Sequence, residues 1–443
     1  MLGKGFRHGG AAPRPWSFVS GGEGVYTSLT DLYKIFMTFV IWMDANVAVR
    51  HLVLAGGATT PSGLRIARTE YVARRMRLAA DASARGLDGV VVWAREGTAA
   101  DRAGYGIYLA NYYTKFFAGL DDCPPHFAAL GHAAVVVPSA GDATLVVDMH
   151  YHYYPAERVA EAIDDVIHDT NVVRGVVGAL TTKNLARGRL GFVGSQVISA
   201  KHFQALKDAL PGVEWRIVDD LLIEPMLIKS EAEWRIIRYG CQAVNEVTEE
   251  LLAAAVPGVS EFELMQRAQR GLAERDCELW WVRPAGMRRL ESGQIYFMSV
   301  VGWCQGYFFD IARNKIVGAK VGSRPNATLD ALNAFILRQA AELKPGRTGE
   351  EAAAFGLRYF IDDLKAVTRA EIEAGALCPF PAFGHGLGLN YGRPYVREGE
   401  TMVLRPGMYI AIEANYADPV LGMAEAEVNV EITADGPKIL TKL

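Results

Sequence analysis

Four ionisable residues interrupt apolar or glycine-rich runs in the second half of the chain, and any fold must give each of them a partner. Asp310 breaks Tyr307-Phe-Phe-Asp-Ile, and Glu413 breaks Tyr409-Ile-Ala-Ile-Glu-Ala. Glu427 opens a stretch in which Val428, Val430 and Ile432 fall on one face of a strand and Glu427, Asn429 and Glu431 on the other. His385, the only histidine after His202, lies in Phe383-Gly-His-Gly-Leu-Gly388, where the flanking glycines let another backbone approach and leave the ring open to a cavity. Burying a carboxylate is expensive unless a metal ion or a cation compensates it. Each carboxylate therefore asks for an ion or for a buried salt bridge to one of the 46 Lys and Arg residues. A structural role is the alternative for the histidine.

Around these residues the chain reads as two α/β segments with a leader. From Ile66 to Leu222, a helix through Arg74, Met76 and Leu78 precedes strands at 89–93, 134–137, 144–147, 190–193 and 215–218. The turn Ser139-Ala-Gly-Asp142 predicts a hairpin between the second and third of these. A boundary follows Ile228, because Ser230 and Glu233 form a capping box that opens a long helix, stopped by Pro257-Gly258. Ser260 and Glu263 predict a second capping box, on a helix running toward Trp280. Beyond it come a strand at 294–301, a turn containing Gly302 and Gly306, and a strand at 307–313. Helices at 329–343 and 350–367 and strands at 409–415 and 427–433 complete the pattern.

Composition excludes several classes of function. With 46 basic and 50 acidic residues the net charge is −4, which argues against a nucleic-acid-binding footprint. Five scattered cysteines without a C-x-x-C pair suit neither a disulfide framework nor a zinc ribbon, and point to a reducing cytoplasm. The uncharged run 35–43 is far shorter than the roughly 20 residues of a membrane span, so no membrane partner is expected. Residues 1–65 are left as an extension of unassigned role.

With order and context in hand, the chain resembles the creatinase, prolidase and aminopeptidase P family over roughly residues 66–443. Gly306-Tyr-Phe-Phe-Asp-Ile-Ala-Arg313 is similar to that family's Gly-Tyr-x-x-Asp-Ile-Thr-Arg strand, Gly384-His-Gly-Leu-Gly388 to its Gly-His-Gly-Ile-Gly turn, and Leu404-Arg-Pro-Gly-Met408 with Ile412-Glu413 to its Pro-Gly-Met and Ile-Glu strand. Met226-Leu-Ile-Lys-Ser230 with Glu233 resembles the junction between the family's two domains. The resemblance implies an α/β (α+β) fold with an N-terminal creatinase-type domain, residues 66–227, and a C-terminal pita-bread catalytic domain, residues 228–443. It also implies a homodimer, a small-molecule or dipeptide substrate, and Asp310, His385, Glu413 and Glu427 as metal ligands.

Two departures narrow the expectation. Family peptidases hold two metals, and their first aspartate falls where this chain has Ser299, so one divalent ion, Mn²⁺, Fe²⁺ or Zn²⁺, is expected, with a metal-free site as the alternative. Glu425 competes with Glu427 for the last ligand position. The family's two further histidines are also absent, one near Trp280-Trp-Val-Arg-Pro284 and one at about Gly392. Tyr391, Arg393, Arg283, or His150 and His152 from a partner subunit are the substitutes. Tyr391-Gly-Arg393 is similar to a segment of creatinase whose arginine meets a substrate carboxylate. The expected activity is hydrolysis of a C–N bond, with His385, Glu413 and Tyr391 as catalytic groups and Arg393 and Arg283 binding substrate. The alternatives are a metal-independent creatinase-like hydrolase, a lyase on the same fold, and a non-catalytic binding module.

Overall fold

The structure, a computed structural model, describes residues 64–95, 104–112, 122–123, 125–148, 162–163, 165–283, 287–319, 324–359, 382–418 and 422–443, all within the compact unit Val53–Leu443. Helix α1, Arg68–Ala84, buries Tyr71, Arg74, Leu78 and Ala82, one stripe at helical spacing, and feeds β1, Gly89–Arg95. After α2, Tyr105–Ala110, come β2, His132–Pro138, and β3, Thr144–Val147, which form the expected antiparallel hairpin. β4, Asp165–His168, α3, Val172–Thr182, β5, Gly188–Val193, α4, Ala200–Ala209, β6, Val213–Ile217, and α5, Asp220–Leu227, follow. The strands pair in the order β4-β3-β2-β1-β5-β6. Strand β1 is buried on both faces, Val90 and Val92 in the core with Leu78, and Val91 and Trp93 in the core with Val176 and Leu206. That two-sided burial is why Val-Val-Val-Trp reads as a continuous apolar run and not as an alternating one.

Helix α6, Glu231–Ala254, opens with the capping box read from sequence: Ser230 Oγ accepts from Glu233 N, and the Glu233 side chain accepts from Ser230 N. Its buried stripe, Ile237, Cys241, Val244 and Leu251, packs on the second sheet. Helix α7, Glu261–Ala273, keeps half of its expected box. Ser260 Oγ accepts from Glu263 N, but the Glu263 carboxylate pairs with Arg267 one turn on. The chain then turns into a strand, β7, Cys277–Arg283, where a longer helix was expected. Strands β8, Ile295–Cys304, and β9, Tyr307–Ile316, run longer than expected, and Gln305 and Gly306 alone make the turn. Both have positive φ, 47° and 88°, the geometry of a two-residue hairpin turn matched to strand twist.

Helices α8, Arg324–Ala340, and α9, Gly349–Arg358, and strands β10, Gly384–Gly386, β11, Tyr409–Asp418, β12, Gly422–Thr433, and β13, Gly436–Ile439, complete the described elements. The second sheet has the order β10-β11-β12-β9-β8-β7, with β13 on β12. Its β11 and β12 residues Ile410, Ile412, Val428 and Val430 share a core with Leu332, Phe335 and Ile336 of α8. This mixed architecture, two sheets flanked by helices, agrees with the α+β reading of the sequence. Among the described residues no helix is long and apolar enough to cross a membrane.

Candidate metal centre

Strand register brings the four polar residues together. Asp310 faces Val301 and Ala312 faces Ser299 across β8 and β9; Glu427 faces Ala312 across β9 and β12. Glu413 faces Glu427, and His385 faces Ala411, two residues before Glu413. Facing residues of an antiparallel pair share a face, and alternate residues along a strand do too, so all four project from one side of the sheet. The methyl group of Ala312 lies among them. Gly384 and Gly386 let His385 reach that position: a Cβ at Gly384 would sit 2.2 Å from the Ala411 carbonyl oxygen, and one at Gly386 2.3 Å from that of Arg393.

His385 Nε2 lies 3.9 Å from Asp310 Oδ2, 3.8 Å from Glu413 Oε1 and 3.9 Å from Glu427 Oε1. These exceed the roughly 3.2 Å limit of a hydrogen bond. They fall short of the roughly 4.2 Å separating two ligands on opposite sides of an ion with about 2.1 Å bonds. All four side chains are buried, and Glu427 Oε1 has no hydrogen-bond partner among the described residues. The donor set, one imidazole and three carboxylates, therefore fits one divalent ion of borderline hardness.

The electrostatics point the same way. Burial lowers the His385 pKa to about 4, so the ring is neutral at pH 7. Its Nδ1 faces the Gly386 carbonyl oxygen at 3.4 Å, an acceptor that favours the proton on Nδ1 and the Nε2 lone pair toward the carboxylates. Glu427 is pushed well above the ordinary carboxyl range, first by burial and then by Asp310 and Glu413. A cation is the natural remedy for that repulsion. Glu425 belongs to the same neighbourhood: single carboxylate oxygens of Glu413, Glu425 and Glu427 lie within 4.8 Å of one another.

Two asparagines fix the seam between β9 and β12. Asn429 Oδ1 accepts from Asp310 N at 3.2 Å and from the Tyr409 hydroxyl at 2.8 Å, while its Nδ2 donates to the Asp310 carbonyl. On the other side of the Glu427–Ala312 pair, Asn314 Nδ2 donates to Glu425 O at 2.8 Å and Asn314 Oδ1 accepts from Glu425 N at 3.0 Å. These side chains supply bonds where the backbone ladder is limited to one registered pair.

Residues 235–434 match the model of metallopeptidase family M24. Over that span, a little under half of the chain, the protein is similar to this peptidase family. The Xaa-Pro dipeptidase of Pyrococcus horikoshii is 29% identical over 248 residues, 52% of this chain and 66% of that protein, just under two thirds of its length. The probable dipeptidase PepE of Mycobacterium tuberculosis is 28% identical over 391 residues, covering 83% of this chain and 93% of that protein. The solved prolidase of Pyrococcus horikoshii superposes with a TM-score of 0.62 at 22% identity, over 84% of this chain and 98% of that one, a likeness of fold.

Within this M24-like region the remaining site candidates fare differently. Tyr391 stacks on His385 with ring centroids 4.3 Å apart, and meets Phe308 and Trp280 edge-on at 5.3 and 6.2 Å. Arg393 turns to its own loop: Nε donates to Glu400 Oε2 at 2.9 Å and Nη2 to Glu400 Oε1, a bidentate pair. Arg393 in turn holds the buried Glu400 below the usual carboxylate range. Arg283 ends β7 opposite Ser299, and its side chain lies outside the described residues, as do His150 and His152. Ser299 is buried on the face that carries Asp310. Sequence reasoning missed Asn314 and Asn429. Their one legible signal was that Asn429 falls on the polar face of an alternating strand beside Glu427.

Proposed function

We propose that the M24-like region hydrolyses the C–N bond of a dipeptide or similarly small amide, with one divalent ion held by Asp310, His385, Glu413 and Glu427. The observation that carries this reading is the convergence of a neutral imidazole and three carboxylates, from strands far apart in sequence, at separations of 3.8–3.9 Å. The relatives named as dipeptidases support the substrate class. An ion bound there would lower the pKa of a water molecule and polarise the scissile carbonyl. Glu413, or Glu427, takes the proton from the attacking water and returns it to the leaving nitrogen. Tyr391 fixes the plane of the imidazole by stacking and stands beside the reacting centre. Residues 66–227 form a domain preceding the catalytic residues 228–443, and the protein acts as a cytoplasmic homodimer in this proposal.

Hydrolysis of a dipeptide panel with Mn²⁺, Fe²⁺ or Zn²⁺ supplied tests the reading directly. Exchange of Glu413 for Gln is expected to lower kcat by about a hundredfold or more, the usual contribution of a positioned acid–base group. Turnover unaffected by chelator would contradict it and favour metal-independent, creatinase-like chemistry. That rival loses its particular support here, because the arginine it needs for a substrate carboxylate is engaged by Glu400.

A further inference from the structure

A cavity of about 520 Å³ lined largely by charged side chains lies between α1, α5 and the start of α6. Its charges are unevenly matched. Arg74 pairs with both Glu70 and Glu233, and Arg405 pairs with Glu224. The Glu233 carboxylate is further occupied by Ser230 N and by the Tyr307 hydroxyl. Lys229 and Arg77 line the same cavity, and among the described residues neither has a carboxylate within ion-pair distance. Lys229 is buried, and its Nζ donates at 3.1 Å to the Leu227 carbonyl. An ammonium carries three N–H donors, so this bond leaves two for other partners. Burial draws the Lys229 pKa down to about 8, against the upward pull of the nearby Glu233 carboxylate.

We propose that this cavity binds a small oxyanion, of sulfate or phosphate type, between the Lys229 ammonium and the Arg77 guanidinium. The lining sets four basic side chains, Arg74, Arg77, Lys229 and Arg405, against three carboxylates, Glu70, Glu224 and Glu233, an excess of positive charge, and the cavity is many times the roughly 30 Å³ share of a single water molecule. The site bears on the metal centre through Lys229. Its backbone N–H donates to the Gly407 carbonyl just before β11, and its Cε would lie 3.0 Å from a Cβ placed on Gly388, at the end of the His385 turn. An anion that fixes Lys229 therefore braces both segments.

The inference is independent of the proposed hydrolysis and is tested without it. Sulfate, titrated calorimetrically into the full-length protein with chloride as the control, is expected to bind saturably and to raise the melting temperature. Lys229→Met, close in shape and without charge, is expected to abolish the binding. Arg77→Gln, at an exposed position, is expected to weaken it about tenfold, equivalent to about 1.4 kcal/mol. A phosphomonoester titrated in parallel distinguishes a free anion from a phosphorylated ligand as the natural source. No saturable sulfate binding by wild type, or equal binding by wild type and Arg77→Gln, would overturn the proposal.

Discussion

His385 and His132 are both buried imidazoles with pKa values lowered to about 4, yet their surroundings give them different roles. His385 turns Nε2 toward three carboxylates, whereas His132 accepts a hydrogen bond from Trp93 Nε1 at Nδ1, 2.9 Å away, and stands near His202. Protonating His132 breaks the Trp93 bond and places charge in a dry site. Its folded pKa lies below the unfolded value of 6.5, so the unfolded chain binds more protons between these limits. Stability from this residue is therefore complete above pH 6.5 and lost as pH falls toward 4, about 3 kcal/mol for a shift of roughly two and a half units. Acid titrations followed by tryptophan fluorescence should show that loss, and His132→Phe should flatten it. Arg393 carries a second prediction. As a partner of Glu400 it should matter for stability, so Arg393→Met is expected to lower the melting temperature while KM for small acids stays within about twofold. A large rise in KM without loss of stability would restore it to substrate binding. Sequence exposed Asp310, His385, Glu413 and Glu427 because each is a polar residue in an apolar or glycine-rich run. The Arg393–Glu400 pair was hidden, since nothing in the order of residues says that a loop closes on itself.

The β-strands that meet at the centre show how elements set the geometry. Periodicity gave β9, β11 and β12, and register then placed their carboxylates on one face. β7 was not legible: Cys277-Glu-Leu-Trp-Trp-Val-Arg283 continues a helical segment without a strong breaker, and only pairing to β8 makes it a strand. That pairing includes a bulge between Leu279 and Trp281, and the Trp280 and Trp281 rings stack 4.7 Å apart. The asparagine clips were equally hidden, because a side chain that replaces a backbone bond has no sequence period. Replacing Asn429 with Leu removes the partners of Asp310 N and of its carbonyl, and leaving such buried groups unmet costs about 2 kcal/mol or more. Asn429→Leu is thus expected to unfold at lower denaturant and to bind the ion more weakly than wild type. Unchanged metal affinity with lowered stability would show that the clip serves the sheet and not the site.

Across the whole molecule, the centre ties together strands from residues 307 to 433, so an ion bound there stabilises the folded chain as a unit. Binding to the folded state alone contributes about 2.7 kcal/mol at a hundredfold excess over Kd. Adding a divalent ion to the metal-free protein should therefore raise the melting temperature by several degrees, and chelation should reverse the rise. The same linkage ties the Lys229 cavity to the fold, because its backbone bond joins the start of α6 to the approach of β11. The most direct test is the metal content per chain, by elemental analysis of wild type and of His385→Ala. One equivalent in wild type, absent from the variant, is the result expected of a single ion shared by Asp310, His385, Glu413 and Glu427. No metal in wild type after growth and purification with Mn²⁺, Fe²⁺ and Zn²⁺ supplied, or an equivalent retained by His385→Ala, would contradict it.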